Sequence, residues 1–263
     1  MPKSVKKHRT RQAIASALAR LPTHRAGLPA RDSVTAVTTG AGNYTVIHTR
    51  EADAYEKGAQ PPGFAVGAAR PAPAGDNYNG IARKASKLSI STAKTENFND
   101  LADLVKSLMP ESAMINHKPV IGTGVTSGRV QEEQRNVHVT AFMYAASKEA
   151  DNDFHLIIGR DPNNTPEVYM TMEVSGLPPA NSPAFNQLNS ARDAFKQFFS
   201  AKAGGTLPGL NYDFYHPPIA VQIDGSLFFD MTHATGTRPG PPSLKSRMPV
   251  IWEVHPITKI VLK

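Results

Sequence analysis

The order of its β-patterned segments constrains this chain more than any other feature. Three strand-like stretches, one helix and two further strands follow one another within residues 120–263. Residues 136–147, NVHVTAFMYAAS, alternate, with Val137, Val139, Ala141 and Met143 on one face and His138, Thr140, Phe142 and Tyr144 on the other. FHLIIGRD and EVYMTMEVSGL are two more short strands, separated by the turn residues Asp161-Pro162-Asn163-Asn164. A helix follows: Ser182 can cap it, Pro183 suits its first position, and Phe185, Leu188, Ala191, Phe195, Phe198 and Phe199 form an apolar stripe. Lys202 and Gly204-Gly205 end it. IAVQIDGSLFFDMTH and VIWEVHPITKIVLK then read as two final strands, with Gly225 where a strand can bend or bulge.

This β-β-β-α-β-β order is that of an OB-like five-stranded barrel. The expectation is a mainly β protein with one or two helices and a largely irregular N-terminal extension. Other small β-barrels and α+β sandwiches use the same parts and stay open at this point. VIGTGVTSGRV, at 120–130, is a further candidate strand with turns.

Ahead of this unit the chain divides by composition. Residues 1–31 hold Lys3, Lys6, Lys7, Arg9, Arg11, Arg20, Arg25 and Arg31, and no acidic residue precedes Asp32. Taking these eight from the 29 basic residues leaves 21 against 22 acidic ones, so the net charge of +7 belongs to a tail and the remainder is close to neutral. Such a tail suits phosphates, acidic proteins or an anionic surface, and equally a solvated leader. Residues 32–96 read as loosely structured and Pro/Gly-rich, with one hairpin turning at Gly40-Ala41-Gly42 and a linker over 58–80. Residues 97–119 read as a short helix and lead-in, capped by Asn97 and ended by Pro110. The absence of cysteine excludes disulfides, cysteine-ligated zinc or iron–sulfur centres and cysteine nucleophiles. No apolar run is long enough to span a membrane, and the short run Ala13–Leu21 makes a poor signal-peptide core, which points to the cytoplasm.

The polar residues that carry chemistry sit near strand ends. His155, Asp230, His233, Glu253 and His255 form the sharpest set: Glu253 and His255 share one strand face, and Asp230 and His233 are three apart. Imidazoles and carboxylates brought to one barrel end suit a divalent metal or an acid–base pair. Read singly, they are a turn cap and loop hydrogen-bond donors. Phe142, Tyr144, Tyr169 and Tyr215 are candidates for stacking on bases above a groove, although the body lacks the basic excess that phosphate binding calls for. Gly122–Arg129 lacks the ending of a phosphate loop, Ser182 and Ser226 lie in no nucleophile elbow, and Asp151-Asn152-Asp153 lacks the rest of a calcium loop.

Taken together, Asp153-Phe154-His155-Leu156-Ile157-Ile158, the strand ending Glu173-Val174, Gly225-Ser226-Leu227-Phe228-Phe229-Asp230 with His233, and Trp252-Glu253-Val254-His255-Pro256-Ile257 resemble a group of small bacterial OB-like β-domain proteins. The likeness covers about residues 125–263. It implies a shared fold and carries no reaction with it. Three functions stay open. The first is a non-enzymatic binding module for protein, oligosaccharide or single-stranded nucleic acid, needing no cofactor. The second is a metal-dependent hydrolase using the His/Asp/Glu set with a divalent metal. The third is an assembly protein docking an acidic protein or nucleic acid through its tail.

Overall fold

A computed structural model describes residues 33–39, 42–53, 75–202, 206–234 and 238–263. The basic tail, including Lys3, Lys6, Lys7, Arg9 and Arg11, and most of the 58–80 linker lie outside the described residues. Eight strands form one sheet: β1 Ser33–Thr39, β2 Gly42–His48, β3 Thr95–Phe98, β4 Asn136–Lys148, β5 Phe154–Gly159, β6 Tyr169–Val174, β7 Asp213–Phe229 and β8 Trp252–Leu262. Among the described residues four α-helices accompany them: α1 Lys84–Lys87, α2 Leu101–Ser107, α3 Glu111–Ile115 and α4 Phe185–Lys202. The protein is thus mainly β, as its patterning indicates. Among the described residues no helix is long and apolar enough to cross a membrane.

Strand pairing runs from β4 to β5, β5 to β6, β6 to β8 in parallel, β8 to β7, and β7 back to β4. The hairpin β1–β2 adds to β7, and β3 adds in parallel to β4. The inward face of β4 is the one read from its alternation: Val137, Val139, Ala141 and Met143 are all buried. They pack with Phe154, Leu156, Ile158, Met170, Met172, Trp252 and Val254, and with Phe195, Phe198 and Phe199 of α4, in one apolar core. A register shift flanks Gly225 in β7. A Cβ there would lie 2.4 Å from Val254 Cγ1 and 2.6 Å from the Pro256 carbonyl, so only glycine lets β8 come this close.

Three local expectations are corrected. Asn97 does not cap a helix: residues 95–98 are drawn into the sheet as β3, and Asp100 caps α2 by accepting from Ala102 N at 2.8 Å. Residues 120–130 form no strand: they are turns, whose Thr123 and Val125 carbonyls accept from Arg83 N and Ala85 N. Nor are the described parts of residues 32–96 loosely structured. Besides the β1–β2 hairpin, residues 75–91 form an ordered strap across the sheet.

Buried arginines fix that strap. Arg192 of α4 donates to Asp76 Oδ1 at 2.9 Å, to the Ser175 carbonyl at 3.0 Å and to Asn152 Oδ1 at 3.2 Å. Burial works against ionisation of Asp76, but hydrogen bonds from Lys196 and Arg192 hold its carboxyl below the usual range. Arg83 grips both oxygens of Glu133 at 2.6 and 2.8 Å and also donates to the Phe229 carbonyl. Arg129 donates to the carbonyls of Ser86, Ser89, Leu227 and His255.

Candidate metal centre

Alternation gives β5, β6 and the start of β8 a second face, opposite the core, and here that face is polar. His155 stands on β5, Thr171 and Glu173 on β6, and Glu253 and His255 on β8. Register places His155 beside Glu173, and Thr171 beside Glu253. An outward polar face normally meets water. This one is covered by the strap, by the turn after β7 and by the segment around Gly240, whose N–H donates to Asp53 Oδ2 at 2.6 Å. Glu253, His255 and Asp153 are 0% exposed, His155 1% and Glu173 2%.

The side chains fall into three sets whose ligand atoms lie within 4.8 Å of one another: Asp153, Glu173 and His255; Asp230, His233 and Glu253; and Asp53, Glu149 and His155. In the first, His255 Nδ1 is 2.7 Å from Glu173 Oε2, and its Nε2 is 3.4 Å from Asp153 Oδ2. The 3.4 Å contact makes no hydrogen bond, and the 2.7 Å one is a close ion pair that lowers Glu173. Asp153 Oδ1 accepts from Gly176 N at 2.5 Å, which aims the carboxyl. The second set adjoins the first, with Glu253 Oε2 3.8 Å from His255 Nδ1. Thr232 N and Oγ1 donate to Asp230 Oδ1 at 2.7 and 2.5 Å, and His233 Nε2 is 3.8 Å from Asp230 Oδ2. In the third set, His155 Nδ1 hydrogen-bonds Glu149, with Tyr212 Oη at 3.3 Å and Asp53 Oδ2 at 3.9 Å. Lys87 brings an ammonium group 3.8 Å from Glu173 Oε2 and 4.0 Å from Asp151 Oδ2.

Burial and mutual repulsion divide the protons. Burial pushes Asp153 and Glu253 far above the usual carboxylate range, reinforced by Asp151 and Glu173 for the one and by Glu173 and Asp230 for the other. Burial opposes ionisation of Glu173 and Asp230 too. Glu173 nevertheless stays well below the usual range because His255 and Lys87 face it, and Asp230 is lowered by Lys87, His233 and the Thr232 donors. Burial lowers His255 against the pull of Glu173. Lys87 stays charged despite its burial because Glu173, Tyr78, Asp151 and Asp230 surround it.

Buried polar atoms are nearly always hydrogen-bonded. Here Asp153 Oδ2, both oxygens of Glu253 and the Nε2 atoms of His255 and His155 have no hydrogen-bond partner. Carboxylates and imidazoles at this spacing are the donor set of Zn²⁺, Mn²⁺ or Fe²⁺.

All five sequence-read candidates, His155, Asp230, His233, Glu253 and His255, therefore lie on this covered face, distributed over the three sets. Asp153, Glu173, Glu149, Asp53 and Lys87 were not among them. Asp153 had a signal, two residues from His155, and so did Glu173, in phase with Thr171. Lys87 had none, since its place depends on the strap. The aromatic candidates fare differently. Tyr169 and Tyr215 are buried, Tyr169 packing edge-on to Tyr144 and Tyr215 against Phe199. Tyr144 spends its hydroxyl on the Arg160 carbonyl. Phe142 is half-buried on the outward face of β4. Alternation fixes which face a ring takes, not what covers that face, and no stacking platform is built from these four. Comparison with known protein families, with curated proteins and with solved structures found no match.

Proposed function

We propose that the protein is a metal-dependent hydrolase built on an OB-like barrel, with a divalent cation held by Asp153, Glu173 and His255. The five-strand circuit β4-β5-β6-β8-β7-β4, with α4 between β6 and β7 in the chain, supports the barrel reading. One observation carries the site: a histidine with no exposure has each nitrogen facing a carboxylate oxygen, and its Nε2 and Asp153 Oδ2 are left without a hydrogen bond. A cation bound to one imidazole nitrogen and the carboxylate oxygens around it would satisfy most of these atoms, and it would supply Lewis acidity and an activated water. Lys87 supplies positive charge on the same side, and Asp151, with 17% of its side chain exposed, marks the edge nearest solvent. A binding module that stacks bases draws less support, because three of its four aromatic candidates are engaged within the protein.

Elemental analysis of the purified chain beside His255→Ala tests this reading. The expected result is stoichiometric metal in the first and its loss in the second. Metal-free protein that takes up no Mn²⁺ or Zn²⁺ at micromolar concentration would sink the proposal.

A further inference from the structure

We infer that Asp230, His233 and Glu253 form a second cation site beside the first, and that the paired centre acts on a phosphoester. The inference rests on the hydrolase reading of the first set and extends it to stoichiometry and substrate class. Glu253 is the observation behind it. Its carboxyl has no exposure, both oxygens lack a hydrogen-bond partner, and it lies within 4.8 Å of ligand atoms of Asp230 and His233. One cation in the first set leaves that carboxyl unsatisfied. Its Oε2 is 3.8 Å from His255 Nδ1, so the two sets share a border. Cations in two-metal hydrolytic centres stand about 3.5–4 Å apart, a spacing that adjoining ligand sets of this size allow.

Charge links the second cation to the substrate. Asp151, Asp153, Glu173, Asp230 and Glu253 face one ammonium group, that of Lys87. With one divalent cation in the first set and the proton still on Glu253, this group keeps one excess negative charge, a field that repels an anion in a low-dielectric site. A second cation removes the excess. An anionic ester would then be clamped between two cations and Lys87, with attacking and leaving oxygens in line. Water adds to phosphorus, its proton passes to an adjacent carboxylate, and the ester oxygen leaves as the alcohol after taking a proton.

The test loads the chelated full chain with Mn²⁺ and measures bound equivalents by dialysis, spin coupling by electron paramagnetic resonance, and turnover of bis(p-nitrophenyl) phosphate and p-nitrophenyl acetate. Wild type should bind two equivalents with an exchange-coupled signal and cleave the phosphodiester. Glu253→Gln and Asp230→Asn, each checked for a wild-type circular-dichroism spectrum, should keep one uncoupled equivalent and lose the phosphodiester activity. A single equivalent in wild type overturns the second site and leaves the first standing. Two equivalents without phosphodiester turnover overturn the substrate class. No bound Mn²⁺ overturns the hydrolase reading itself. Should Glu253→Gln misfold, Asp230→Asn decides alone.

Discussion

Replacing Glu253 by Gln should stabilise the metal-free protein. The wild-type carboxyl is fully buried, has no hydrogen-bond partner and faces Glu173 and Asp230. A buried polar group left unsatisfied costs about 1–3 kcal/mol. The glutamine amide is nearly isosteric and turns N–H donors toward those two carboxylates, so most of that cost is recovered. A gain of about 2 kcal/mol raises Tm by about 4–8 °C in a chain of this size. The pH dependence follows from the raised pKa. Below about pH 4 both folded and unfolded wild type keep the proton on Glu253, and the carboxyl's protonated form is at its most favourable for folding. As pH rises, the unfolded chain ionises while the folded one must hold the proton, and wild type loses stability until the folded pKa is passed. The variant does not titrate there, so its advantage should grow from pH 5 to pH 8. Differential scanning calorimetry after exhaustive chelation measures it. Saturating Mn²⁺ should reverse the order, because only wild type gains the full binding energy. A chelated Glu253→Gln that melts below chelated wild type at pH 8 would refute the reasoning, since the carboxylate would then be making favourable contacts.

Other perturbations test the surroundings. Arg83→Met leaves Glu133, which is 0% exposed, without its bidentate partner and should cost about 3–5 kcal/mol by denaturant unfolding, reduced by the remaining Phe229 and Val130 N–H donors. Gly225→Ala should cost about 1–3 kcal/mol, because its Cβ meets the Pro256 carbonyl at 2.6 Å; a neutral result would show that β8 can retreat. Cation affinity should climb steeply between pH 5 and pH 8, since a cation must displace the protons that burial keeps on Asp153 and Glu253; a flat profile in isothermal titration would remove both from the ligand set.

Strand order and inward faces were legible because they rest on period-two alternation, which Val137, Val139, Ala141 and Met143 obey without exception. The pairing of Glu253 with His255 was legible for the same reason. The depth of the site was not. Alternation marks Glu173 and His255 as polar and therefore suggests exposure, while their burial comes from a strap whose Pro/Gly-rich neighbourhood signals a linker. Asn97 shows the limit of local signals: it is a good cap by type, yet pairing with β4 outweighs capping and shifts the helix start to Asp100. Lys87 meets Glu173 only through arginine contacts made more than forty residues away in sequence, and no local pattern encodes them.

Arg129 ties the cover of the site to its contents. One planar guanidinium holds the carbonyls of Ser86 and Ser89 in the strap and that of His255 in the ligand strand, the last at 2.6 Å. A group that rigid cannot let one side move while the other stays. Any force that lifts the strap pulls on the histidine backbone, and any cation that fixes the histidine tightens the strap. On the proposed metal reading, holding the strap and loading the cation would share one coupling, equal in either direction.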